Sequence, residues 1–100
     1  DMYIDVSANE VKAAINGSGD ITVTGKTDIF EATVTGSGDI EGYGLVANTC
    51  NAKVIGSGDI ECNAKQKLNA KIIGSGDIQI NKSVVTIKKK IIGSGDVSKK

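Results

Sequence analysis

The tetrapeptide Gly-Ser-Gly-Asp at residues 17–20 recurs at 36–39, 56–59, 74–77 and 93–96. Its first glycines, Gly17, Gly36, Gly56, Gly74 and Gly93, are spaced by 19, 20, 18 and 19 residues. A period this short marks a repeat protein, in which each unit buries its apolar face only by stacking on its neighbours. The second glycines (Gly19, Gly38, Gly58, Gly76 and Gly95) and the aspartates (Asp20, Asp39, Asp59, Asp77 and Asp96) complete a constant corner. Glycine reaches positive φ without steric cost, and every coil must reverse at the same height, so both glycines read as turn residues. Ten of the 13 glycines lie in this motif, so glycine here marks turns and not a phosphate-cradling loop.

Counting backward from each first glycine gives the inward face. Two residues before it stand Ile15, Val34, Val54, Ile72 and Ile91; four before, Ala13, Ala32, Ala52, Ala70 and Lys89; six before, Val11, Phe30, Cys50, Leu68 and Ile87. This alternation is the period-2 signature of a strand with one buried face. Beyond each aspartate, Ile21, Ile40, Ile60, Ile78 and Val97 continue the column, followed two residues on by Val23, Cys62 and Ile80. Each coil therefore has two strands, one on either side of Gly-Ser-Gly. The variable second corner (25–28, 44–49, 64–67 and 82–85) must absorb the change in repeat length, and it reads as a surface loop.

Strands of the same kind lie one coil apart and must pair in parallel, with right-handed connections by the crossover rule. The expected fold is all-β, a right-handed parallel β-helix (solenoid) of about 19 residues per coil with a flattened two-sheet cross-section. A left-handed hexapeptide helix has a similar coil length, but it needs an apolar residue every six positions and tolerates little length variation. Residues 1–100 read as a single domain. Residues 1–16 align with 20–35 without a gap, placing Asp1 on Asp20. The first residue therefore falls inside a repeat, and the chain is expected to be the carboxyl-terminal portion of a longer one, its first coil covered by an upstream half or by a partner.

Lysines and acids balance at 12 each, but residues 1–50 carry 2 Lys and 8 acids while residues 51–100 carry 10 Lys and 4 acids. A solenoid maps sequence order onto space, so the molecule should be polarised along its axis, with either a solvated surface or head-to-tail contact as the outcome. There is no Arg or His, and the aromatics are Tyr3, Phe30 and Tyr43. Bidentate phosphate recognition and base stacking have almost nothing to work with, which argues against a nucleic-acid partner. No apolar run reaches the roughly 18 residues of a membrane helix, so membrane attachment is expected only through an anchor outside this chain.

Stacking the repeats lines up the five aspartates in a ladder whose like charges must be compensated. Hydrogen bonds from the amides of each aspartate's own turn, of the Asx type, are the expected answer, with calcium as the alternative. A glycosidase pair needs two carboxylates in unlike environments, whereas the ladder supplies near-equivalent ones, so neither a catalytic residue nor a cofactor is expected. Cys50 and Cys62 flank the turn at 56–59 on inward columns, with Cys50 diagonal to Cys62; a bridge and two buried thiols both remain open. On the outward side Lys53, Lys71 and Lys90 form a lysine ladder beside Ile55, Ile73 and Ile92. The isoleucines are a candidate interface for self-association or for a missing segment, unless the lysine stems shield them.

The runs Ile-Asn-Gly-Ser-Gly-Asp-Ile (15–21), Val-Thr-Gly-Ser-Gly-Asp-Ile (34–40) and Ile-Ile-Gly-Ser-Gly-Asp-Val (91–97) each follow an alternating strand. With them the chain resembles the carboxyl-terminal half of the bacterial family called Putative auto-transporter adhesin, head GIN domain. The resemblance implies a pectin-lyase-like β-helix exported to the cell surface or periplasm of Gram-negative bacteria, often as a lipoprotein, with oligomers and an adhesive role. It transfers no binding residue. The resulting expectation is a non-enzymatic adhesin or envelope structural module acting on a host or envelope glycan or protein. A glycan-binding module using the outward face near Tyr43, Glu41 and Glu61 is the alternative, and a carbohydrate-active enzyme completed by a missing half comes third.

Overall fold

In the computed structural model, which describes residues 2–81 and 84–99, the chain is a parallel β-solenoid of about five coils without a helix. Strands β1 (Met2–Gly17), β2 (Asp20–Gly36), β3 (Asp39–Gly56) and β4 (Asp59–Gly74) each make nearly a whole coil. The fifth coil is divided into β5 (Asp77–Ile80) and β6 (Thr86–Ile92), and β7 (Asp96–Lys99) begins the next. Each coil pairs in parallel with the one before it, so sequence order is spatial order and the acidic and basic halves occupy opposite ends.

The β1–β2 register runs without a slip from Met2↔Ile21 to Gly17↔Gly36, as the gapless alignment requires. Asp1, on which that alignment placed a further turn, lies outside the described residues. The inward columns are the core: Val34, Val54, Ile60, Leu68, Ile72, Ile78 and Ile80 are fully buried, each side chain of this kind contributing roughly 1.5–3 kcal/mol. The last coil is the exception. Lys89, at an inward-column position, is exposed, and Ile87, Ile91 and Val97 are only partly covered.

The second corner departs from the expected surface loop. In the first four coils the ladder runs straight through it, so the two faces are one wound sheet. Thr27, Leu45, Ala47, Ala64 and Val84 point into the core there. The 20- and 18-residue repeats are accommodated by register shifts at Thr22/Gly25, Glu41/Val46 and Ala47/Thr49. A bulge lets one strand carry an extra residue while its neighbours keep their pairing. A loop would have abandoned the inter-coil hydrogen bonds of the whole corner. Of the corner at 82–85, Lys82 and Ser83 lie outside the described residues.

Candidate functional site

The Gly-Ser-Gly corner is built by two glycines with different duties. Gly17, Gly36, Gly56, Gly74 and Gly93 have φ between 113° and 120°, a region that L side chains rarely adopt. Gly38, Gly58, Gly76 and Gly95 do not have positive φ; a Cβ on any of them would overlap the carbonyl oxygen of the preceding coil's second glycine and a core side chain, Val34 in the case of Gly58. The second glycine is therefore required by close stacking and not by turn conformation, which corrects the single reason offered for both.

The aspartate ladder also differs from expectation. Ser57 N donates to Gly36 O at 3.0 Å and Asp59 N to Gly38 O at 3.2 Å, with equivalent bonds at the corners on either side. Corner amides thus bond the coil below, and among the described residues no ladder carboxylate takes a hydrogen bond from its own turn. The charge stays partly uncompensated. Asp59 is held above the usual carboxylate range by partial burial and by Asp39 and Asp77 one coil away, offset in part by the Asp77 amide. No three His, Cys, Asp or Glu side chains among the described residues are grouped as metal ligands.

Cys50 and Cys62 are free thiols, fully buried, with their Sγ atoms hydrogen-bonded at 2.9 Å. They face each other directly, which corrects the diagonal placement. The hydrogen bond shared by the two thiols, together with burial, pushes the Cys62 thiol well up. Both stand six residues from Gly56, and Phe30 and Gly42, which also face each other, both stand six residues from Gly36. Counting equally in both directions from the first glycine is the sequence signal for these cross-core pairs. Tyr43 and Glu61 lie close enough that the Glu61 charge, after partial burial, raises the Tyr43 pKa, and Glu61 is in register with Glu41. Those three residues are thus brought together: Glu41 and Glu61 stand on the lane Tyr3, Thr22, Glu41, Glu61, Gln79 and Ser98, and Tyr43 lies two residues along the strand from Glu41.

The other outward face carries three lanes. Thr35, Ile55, Ile73 and Ile92 stand in register, with Ile92 52% exposed and Ile55 and Ile73 half-buried. Beside them run Thr33, Lys53, Lys71 and Lys90, and then Glu31, Asn51, Asn69 and Lys88. Between the last two lanes lies a groove of about 410 Å³.

The sequence profile of the family described as Putative auto-transporter adhesin, head GIN domain, matches residues 1–84. Three crystal structures described as putative adhesins share the fold. The one from Parabacteroides distasonis is 31% identical with a TM-score of 0.88, covering 99% of this chain and 41% of that one. That from Bacteroides fragilis is 28% identical with a TM-score of 0.90 over 97% of this chain and 44% of that one. The Parabacteroides merdae protein is 27% identical with a TM-score of 0.88 over 98% and 42%. The chain thus spans less than half the length of these structures. No curated protein matches it.

Proposed function

The chain belongs to the Putative auto-transporter adhesin, head GIN domain family, and from that premise we propose that it is a rigid, non-enzymatic module of an exported protein that presents its outward strand lanes to a partner at the cell surface. Membership of a family described as Putative auto-transporter adhesin, head GIN domain, supports surface exposure, and the lanes are displayed on the outer side of the envelope and not in the periplasm. The observation that carries it is the in-register stacking of outward side chains. Thr35, Ile55, Ile73 and Ile92, and beside them Thr33, Lys53, Lys71 and Lys90, recur at one strand spacing across four coils. Such a surface is pre-organised for an extended or repeated partner, because the hydrogen-bonded ladder fixes the spacing and direction of these side chains at the backbone before binding.

Protease treatment of intact cells of the source organism tests this reading. Cleavage of the full-length protein while a periplasmic control survives supports outward display. Protection of both ends the adhesin reading and leaves a module working inside the envelope.

A further inference from the structure

We propose that the groove between the lysine and asparagine lanes binds an acidic polysaccharide laid along the solenoid axis, a ligand class that rests on the presentation reading above. One wall is Lys53, Lys71 and Lys90, paired in register, and the other is Asn51, Asn69 and Lys88, with Ala52 and Ala70 between them. Lysines directly opposite one another on adjacent strands, about 4.8 Å apart, repel. None of these lysines has an ion pair among the described residues. Glu31, the carboxylate that lines the groove, is instead 3.7 Å from Lys12. The positive charge of the groove therefore has no partner within the described fold, and a polyanion repeating along the axis supplies one at every coil.

The chemistry of the lining favours a saccharide over a phosphate polymer. The chain has no Arg for bidentate phosphate recognition, and no aromatic side chain lines the groove to stack a base. Lysine acts as a point charge that accepts carboxylate or sulfate groups without fixed geometry. Asn69 Nδ2 donates to Asn51 Oδ1 at 2.7 Å, which leaves the Asn51 amide group and the Asn69 carbonyl oxygen to donate to and accept from sugar hydroxyls. Amide and hydroxyl readers beside regularly spaced cations are what a polymer carrying both hydroxyls and carboxylates requires.

The test measures binding of the intact protein to polygalacturonate, to its methyl-esterified and hence neutral form, and to phosphatidylglycerol vesicles. Binding to the polyuronate should weaken with salt and be at least about tenfold weaker for the esterified polymer and for Lys53→Gln/Lys71→Gln/Lys90→Gln, the order expected when three exposed charge contacts are lost. Lys26→Gln/Lys65→Gln, outside the groove, should bind like the parent. The triple variant should melt no lower than the parent, because its like-charge ladder is relieved. Equal binding by the triple variant, an equal loss in the Lys26/Lys65 control, or binding to vesicles but not to polyuronate would each overturn the proposal. No binding to the polyuronate also ends it while leaving surface display standing, since display is judged by proteolysis of cells; protection of the cells with intact groove binding fails display alone.

Discussion

Phe30 occupies the space that Gly42 leaves open: a Cβ on Gly42 would lie 2.9 Å from the Phe30 ring and 2.7 Å from the Glu61 carbonyl oxygen. The two residues are a large–small pair across the core. Gly42→Ala is expected to destabilise the fold by about 1–3 kcal/mol through overpacking. Phe30→Leu in the same chain should restore part of that loss but not all, because the Glu61 backbone cannot retreat. A double-mutant cycle by urea denaturation measures the coupling; strict additivity would show that the pair is not one packing unit.

The second glycine of the corner makes a sharper contrast. A Cβ at Gly58 would overlap Gly38 O and Val34, whereas nothing lies within 4 Å of one at Gly19. In the 100-residue chain, Gly58→Ala should cost on the order of 1–3 kcal/mol or more, while Gly19→Ala stays near neutral. Equal melting temperatures for the two variants would refute close stacking as the reason for the second glycine.

Asp59 binds its proton more tightly in the fold than in the unfolded chain, since burial and its neighbours Asp39 and Asp77 raise its pKa above 3.8. Its contribution therefore favours the fold below the ordinary aspartate value and is lost as pH rises through the raised one. Asp59→Asn should raise stability at neutral pH relative to the parent and flatten the dependence across that window. Denaturation midpoints measured from about pH 3 to pH 7 check it; a steeper slope in the variant would contradict the assignment.

Cys50 and Cys62 are both fully buried, and the Cys62 pKa is raised by the hydrogen bond the two thiols share and by burial. Thiolate is the reactive form. The folded protein should therefore resist iodoacetamide and take up two adducts only when unfolded. Intact mass spectrometry reads the result, and rapid labelling of the native state would show that this part of the core opens.

Ile55, Ile73 and Ile92 form one apolar lane, most open at Ile92. With this lane as the seam of self-assembly, Ile73→Asp should lower the mass found by light scattering, because it places a charge in an apolar contact. An unchanged mass removes the seam.

The coil repeat, the inward columns and the register of neighbouring coils were all legible in the residues. Strand alternation assigns each side chain to a face, and one invariant corner phases every coil, so Ile15, Val34, Val54 and Ile72 could be stacked correctly by counting alone. The outward lanes of Lys53, Lys71 and Lys90 and of Ile55, Ile73 and Ile92 follow from the same count. What required the tertiary structure was every relation that crosses the core or a coil boundary. Period-2 patterning says that Cys50 and Phe30 face inward, but it does not say that Cys62 and Gly42 meet them. Nor does it tell that Leu45, Ala47 and Ala64 keep the second corner inside the ladder through register shifts, or that the Asp59 amide bonds Gly38 O in the coil below. Those choices were decided by packing volume and by inter-coil hydrogen bonds, which couple residues about one repeat apart, or across the core; alternation alone does not carry them, and the equal count about Gly36 and Gly56 that pairs residues across the core takes its meaning from the shape of the folded corner.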